Sequence, residues 1–262
     1  MPFANSIVVG DCLEGLRSLP DGCATLVIAD PPYNLNKDFG VWREAEHKNE
    51  WLSWCKRWLL ECKRVLAPGG NIFIYGIHHH ICWIQCYLYE IGLDYRRLII
   101  WHYENGFAGY TRSLAAHYEP LLWFSKGSAY TYHPIREPYK SQDRLKYKIT
   151  KNGKVWAPNP LGRLAGDVWK FPTLAGRRFR DEKVDHPTQK PLNLSRRIVE
   201  HFSNPGDLVL VPFVGSGTEC LAAAMANRDY CGFDLNSKYV ELASARIQKW
   251  REGAPTALTL TA

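Results

Sequence analysis

The chain has 262 residues, 46% of them hydrophobic and 13% aromatic, which excludes a disordered tail, a collagen-like fibre and a small disulfide-stapled scaffold. No uncharged apolar run approaches about 18 residues, and Asp11 and Glu14 interrupt the N-terminal apolar stretch, so neither a membrane span nor a secretory leader is expected. The net charge of +7 is concentrated: residues 128–184 carry 13 Lys or Arg against 5 Asp or Glu, while the rest has 20 against 21. Such a stretch predicts either a polyanion partner, nucleic acid first, or a solvated basic loop.

In chain order, Thr25–Asp30 reads as a buried strand, Trp51–Leu66 as a helix stopped by Ala67-Pro68-Gly69-Gly70, and Asn71–Gly76 as the next strand. Ile77, Ile81, Ile84, Leu88 and Ile91 recur at helical spacing and predict an amphipathic helix. On that reading His78, His79, His80, Cys82 and Cys86 are ordinary residues of the helix rather than a metal cluster, and no paired CxxC pattern occurs. The eight cysteines read as reduced, mostly buried thiols of a cytoplasmic protein. Arg96–His102 and Glu119–Ser125 are two further strands.

Periodicity lapses over residues 128–184, which fill with Lys, Arg, Tyr, Pro and Gly. It returns with a helix from Leu192, a strand at Asp207–Val211, a glycine turn and a helix, a strand at Tyr230–Asp234, and a last helix at Lys238–Arg251. A frayed tail is expected over 253–262. The alternation predicts an α/β fold with a mainly parallel sheet, made from residues 1–127 and 185–252 and carrying a basic insert at 128–184.

Two loops carry chemistry. Asp30-Pro31-Pro32-Tyr33 directly follows a strand, the place where open α/β sheets bind ligands. It combines a carboxylate, rigid proline carbonyls with no competing N–H, and a flat ring, a set suited to gripping a planar base that bears an amino group. Val211–Thr218 (VPFVGSGT) follows a strand and opens a helix, so a ligand can approach its glycine backbone closely. A dinucleotide fingerprint would need glycine at position 220, where Cys220 stands, which disfavours nicotinamide or flavin. An adenosine-bearing ligand still suits the loop, with Asp234 accepting from the ribose hydroxyls.

Asp30–Tyr33 resembles the DPPY motif of the amino-group DNA methyltransferases, which use S-adenosylmethionine to methylate adenine N6 or cytosine N4. Val211–Thr218 is similar to that family's DPFxGSGT cofactor motif, Asp185–Pro191 to its HPTQKP element, and Val9–Cys12 to its GD motif. Residues 232–247 resemble its ribose-binding strand and following helix. The motif order is that of the β class: a circularly permuted, Rossmann-like methyltransferase sheet with a basic target-recognition insert. The resemblance spans about residues 5–251. It implies catalytic roles for Asp30, Pro31, Pro32 and Tyr33. For the cofactor it implies Asp11, Cys12, Asp30, His186, Thr188, Gln189, Lys190, Pro212, Phe213, Gly215, Ser216, Gly217, Thr218, Asp234, Leu235 and Asn236, with no metal. Val211 departs from the pattern, which has Asp there.

The implied reaction is methylation of adenine N6 in a base flipped out of double-stranded DNA. Asp30 and the Pro31 carbonyl would accept the two amino hydrogens, and Tyr33 would stack on the ring. Asp at the first motif position favours adenine over cytosine N4. Cytosine C5 chemistry, which in its own family uses the thiol of a Pro-Cys pair, is disfavoured because no proline here precedes a cysteine. Lys37, Arg163, Lys170, Arg177, Arg178 and Arg180 are the candidate DNA contacts, interleaved with Tyr130, Tyr132, Tyr139, Tyr147, Trp156, Trp169 and Phe179. The alternatives are a cytosine-N4 enzyme, an RNA or protein-amide methyltransferase, and a non-catalytic DNA-binding relative, for which Val211 is the one supporting feature. The resemblance further leaves room for a homodimer and for a cognate restriction endonuclease encoded nearby, as in restriction-modification.

Overall fold

The structure, a computed structural model, describes residues 3–35, 47–106, 112 and 114–253. Lys37 and the expected tail from residue 254 lie outside them. The first half runs β1 (Ser6–Val9), α1 (Cys12–Ser18), β2 (Ala24–Ala29), α2 (Lys48–Val65), β3 (Leu66–Tyr75), α3 (Ile81–Glu90), β4 (Asp94–His102) and β5 (Tyr118–Ser125). Short strands follow: β6 (Arg136–Glu137), β7 (Ile149–Lys151), β8 (Lys154–Trp156), β9 (Arg163–Leu164) and β10 (Val168–Lys170). The chain closes with α4 (Leu192–Phe202), β11 (Leu208–Val211), α5 (Thr218–Met225), β12 (Asp229–Asp234) and α6 (Ser237–Arg251).

Eight strands form one sheet in the order β1-β12-β11-β2-β3-β5-β4-β10. Every pairing is parallel except those of β5 with β3 and β4. The fold is therefore the expected α/β type with a mainly parallel sheet.

A sheet covered on both faces needs strands apolar on both sides, and the alternating side chains of β2 show the division. Val27 and Ala29 join Leu16, Trp58 and Leu59 of α1 and α2. Leu26 and Ile28 join Ile198, Leu221 and Ile247 of α4, α5 and α6. Each large side chain buried in this way contributes about 1.5–3 kcal/mol relative to exposure.

Three expectations change. First, α2 ends at Val65 because Leu66 turns extended, and β3 begins there with no intervening turn. The Pro68-Gly69-Gly70 run bends the strand without separating it. Gly69 has φ +77° and a backbone so close to Ala129 that a Cβ would lie 2.3 Å from its carbonyl oxygen. Second, α3 starts at Ile81, leaving Ile77 and the three histidines in the preceding turn. Cys82 and Cys86 sit on its exposed face and Cys23 is half-buried; the other five thiols are buried.

Third, the basic stretch is woven into the sheet. β10 extends the sheet beside β4, pairing Trp169 with Trp101, and both Ile135 and Trp169 enter the core. β6 pairs with β9, and β7 with β8. The β7–β8 hairpin turns through Asn152 and Gly153, both at positive φ, as the right-handed twist of a two-residue hairpin demands.

Candidate active site

β2 and β11 lie side by side, yet β2 leads to α2 on one face and β11 to α5 on the other. That divergence opens a crevice beyond the strands' carboxyl ends, where α/β sheets bind ligands. The cleft there encloses about 950 Å³ of space, part of it open to solvent.

One wall comes from the ends of β1, β11 and β12. Asp11 caps α1, accepting from the Leu13 and Glu14 amides at 2.8 and 3.3 Å. The Gly10 amide donates to the Asp234 carbonyl at 2.9 Å, which locks the β1 and β12 ends together. Asp234 accepts from the Gly215 amide at 2.8 Å and the Asn236 amide at 2.9 Å. Its burial raises its pKa, and those two amides hold it down in part. Gly215 turns at φ +49°, and an added Cβ would lie 2.8 Å from His186 Nε2. His186 in turn meets the Tyr239 ring edge-on at 4.6 Å. Phe213 is anchored by Trp58 and Trp54 at 5.1 and 5.5 Å.

Of the predicted cofactor residues, Cys12, Thr188, Pro212, Ser216, Leu235 and Asn236 also line this cleft. Three do not. Gln189 braces its own loop, accepting from the Val184 amide at 2.8 Å and donating to the Glu182 carbonyl at 2.9 Å. Gly217 turns into the fold at φ +75°, where a Cβ would strike Ala243. Thr218 is fully buried, its hydroxyl 3.0 Å from that of Ser216 and accepting from Arg246 at 3.1 Å. Val211 is buried among apolar neighbours and is absent from the cleft lining, so the departure from the motif leaves the wall's surface intact. Gly10, Trp54, Val214, Glu219, Phe233 and Tyr239 line it without having been singled out.

The opposite wall is the Asp30–Tyr33 loop. Trp51 donates to the Pro32 carbonyl at 2.8 Å and fixes the loop's course. Among the described residues nothing donates to the Pro31 carbonyl. Behind the loop lies a charge cluster, a buried lysine between two half-buried carboxylates. Lys190, 3% exposed, places Nζ 2.8 Å from Asp30 Oδ2 and 3.5 Å from Glu119 Oε2. The Tyr33 hydroxyl donates to Asp30 Oδ1 at 2.5 Å and lies 3.4 Å from Glu119 Oε2. Burial alone would lower the Lys190 pKa, but the Asp30 and Glu119 carboxylates outweigh it and raise the value above its ordinary level. Burial, then Asp30 and Glu119, push the Tyr33 phenol well up, so it acts as a neutral donor. Glu219, buried on α5, accepts from Ser195 at 2.9 Å, and its pKa is raised by burial and by the nearby Asp30 charge.

Lys190 was expected at the cofactor, and it does line the cleft, but its charge is spent on Asp30. Glu119, Glu219 and Ser195 escaped sequence reasoning. Glu119 had one signal, a carboxylate opening an otherwise apolar strand.

The candidate DNA contacts are dispersed. Arg163 is paired with Glu137 at 2.7 Å and Lys170 with Glu104 at 2.7 Å. Arg177, Arg178 and Arg180 occupy an exposed 3₁₀ turn, with Arg178 over the Phe179 ring at 4.6 Å and Arg180 3.5 Å from Asp181. Trp169 is core, Tyr130 and Tyr132 pack on Trp123, and Tyr139 accepts from the Asn159 amide. Only Tyr147 and Trp156 of those aromatics are largely exposed, on or beside the β7–β8 hairpin with Lys148, Lys151 and Lys154. The Lys-Asn-Gly-Lys run was the available signal for that hairpin. Among the described residues no three His, Cys, Asp or Glu are grouped to hold a metal, and no helix is long and apolar enough to cross a membrane.

A family model described as DNA methylase matches residues 24–245. The type II methyltransferase M1.MboII of Moraxella bovis is 35% identical over 252 residues, covering 92% of this chain and 95% of its own. The DNA adenine methyltransferase YhdJ of Escherichia coli (strain K12) is 32% identical, covering 93% and 83%. Among solved structures, TTHA0409 of Thermus thermophilus complexed with S-adenosyl-L-methionine superposes with a TM-score of 0.62 at 25% identity, covering 94% of this chain and 93% of its own.

Proposed function

The chain belongs to the DNA methylases, and on that premise we propose that it transfers a methyl group from S-adenosylmethionine to the N6 amino group of adenine in double-stranded DNA. The observation that carries the reading is the meeting, across one cleft, of the Asp30–Tyr33 loop with a glycine turn held by Asp234. The relatives described as type II and adenine methyltransferases support the base and the substrate.

The cleft suits the cofactor by its donor set: a strand-end carboxylate for ribose hydroxyls, backbone at Gly215, and the rings of Phe213, Phe233 and Tyr239 for an adenine. When bound, S-adenosylmethionine supplies an electrophilic methyl group. The protein's part is positioning. The adenine amino nitrogen is a poor nucleophile because its lone pair is delocalised into the ring. Asp30 and the Pro31 carbonyl accept its two hydrogens and draw it toward a tetrahedral shape, freeing the lone pair for attack. Extruding the base costs a few kcal/mol, and stacking on Tyr33 returns about 1–3 kcal/mol.

The exposed hairpin with Lys148, Lys151, Lys154 and Trp156 joins Arg177, Arg178 and Arg180 as the surface offered to the duplex, the lysines to phosphates and Trp156 to an exposed base or sugar. The family resemblance extends the proposal to the permuted domain order, to a homodimer, to a companion restriction endonuclease and to work in the cytoplasm.

Mass spectrometry of nucleosides from DNA incubated with the protein and S-adenosylmethionine tests the proposal. N6-methyladenine is expected; N4-methylcytosine would move the target base, and no methylated base on sequence-diverse DNAs would overturn the reading. The cofactor wall has its own test. Gly215→Ala must be strained at φ +49° and must push His186 off Tyr239, so S-adenosylmethionine affinity by calorimetry should fall roughly tenfold with only about 1 kcal/mol lost in stability.

A further inference from the structure

Methylating the amino nitrogen leaves it cationic, with one proton too many, and something must take that proton. Asp30 already has a close partner on each oxygen, Tyr33 on Oδ1 at 2.5 Å and Lys190 on Oδ2 at 2.8 Å, which fixes it as an anion able to hold the amino group but makes it a poor place to leave a proton. Glu119 stands on the other side of the same pair, at the start of β5, the one strand antiparallel to both neighbours. That reversal brings a strand's first residues to the edge where the parallel strands end. Glu119 Oε2 has only the two long contacts, 3.4 Å to Tyr33 and 3.5 Å to Lys190, and among the described residues its Oε1 accepts no hydrogen bond.

Glu119 also faces a different space. Asp30 lines the cofactor cleft; Glu119 lines a second cavity of about 910 Å³, partly open to solvent, walled by Tyr33, Ile77, Trp101 and Leu174. Lys190, His186 and Thr188 border both. The second cavity thus has flat and apolar walls for a base, one under-used carboxylate and an exit to water.

We propose that Glu119 is a catalytic residue, the acceptor of the proton released from the methylated amino group of a base held in this second cavity. The inference rests on the methyl-transfer reading above. In bonds, the nitrogen lone pair forms N–CH3 as the C–S bond breaks and its pair stays on sulfur. One N–H then breaks, its pair returns to nitrogen, and the proton binds a Glu119 carboxylate oxygen, from which the open side passes it to water. Lys190 and Tyr33 hold Asp30 in place for orientation, so the two carboxylates divide the work.

The test compares wild type with Glu119→Gln, Glu119→Asp and Glu119→Ala. It measures single-turnover methylation of DNA, S-adenosylmethionine affinity by calorimetry, and melting temperature. Glu119→Gln should slow the single turnover by about 10²-fold, a usual scale for losing a positioned proton acceptor, with cofactor affinity held within about threefold. Glu119→Asp should recover part of the rate. Added formate should speed Glu119→Ala, whose shortened side chain leaves room for it in the cavity, and should leave wild type unchanged. A Glu119→Gln enzyme at wild-type rate would overturn the inference while wild-type activity keeps the methyl-transfer reading. So would a rate loss matched by lost stability or cofactor affinity, with no response to formate. Wild type without activity on any DNA would remove the methyl-transfer reading and this inference together.

Discussion

Asp30→Asn is expected to fold, to bind S-adenosylmethionine within a few-fold of wild type, and to methylate DNA roughly 10²–10³-fold more slowly. The substitution is isosteric, but its surroundings force one orientation. Lys190 Nζ, 2.8 Å away, is a donor only, so the amide oxygen must face it, and the amide nitrogen then turns to the Tyr33 hydroxyl, which accepts instead of donating. The amide has a single acceptor atom, which the amino group must now share with the lysine, and a charged partner becomes a neutral one. The Pro31 carbonyl is left to orient the base alone. Steady-state kcat with calorimetric cofactor binding decides it. A variant within about threefold of wild type in kcat would show that Asp30 does not grip the amino group.

The second large effect belongs to Lys190. Replacing it with methionine keeps most of the volume among Tyr33, Tyr75 and Trp101, whose rings lie 5.4, 5.1 and 5.9 Å from Nζ. It also leaves Asp30 and Glu119 without their shared cation. Breaking a buried pair by removing one partner costs about 3–5 kcal/mol, and the low end applies here because the carboxylates left behind are 17% and 23% exposed and Asp30 keeps Tyr33. For a domain of this size that is a fall in Tm on the order of 10 °C. Since the lysine's pKa is raised on folding, its contribution is complete at neutral and mildly alkaline pH and fades only above the ordinary lysine range. The double variant Lys190→Met with Glu119→Gln should regain a good part of the loss, a coupling that thermal melts read directly. Equal stability of Lys190→Met and wild type would mean the cluster is solvated and carries no such weight.

The cleft-lining residues legible in the sequence are those packed into a few consecutive positions at a strand end. Asp30–Tyr33, the turn at Pro212–Ser216 and Asp234 stand out because a strand's apolar run stops abruptly at a polar or glycine-rich loop. Legibility fails where a residue works across the sheet. Glu119 reaches Lys190 from 71 positions away only because β5 lies beside β3, an order that no periodicity encodes. Glu219 reads as an ordinary first-turn carboxylate until α4 is seen to place Ser195 on it. Thr218 and Gln189 stand at motif positions, and in the fold they hold the turn and the loop that flank the cleft. β10 was missed because three residues are too short for an alternation to show, although Trp169 is the side chain that seals the edge of the core.

The sheet order also governs how the protein comes into being. Thr25, on β2, donates to the Leu208 carbonyl 183 residues later, and β1 pairs with β12. On the ribosome the Asp30–Tyr33 loop is therefore made well before the strand beside it and the glycine turn facing it, which lie about 180 residues further along the chain. Until then β2 presents a bare hydrogen-bonding edge, the kind that invites pairing with other chains, and closing it requires contacts of very long sequence separation, which fold slowly. Growing chains are thus exposed to mispairing over the whole interval between β2 and β11, and none can modify DNA before β11 and β12 emerge to complete the cleft.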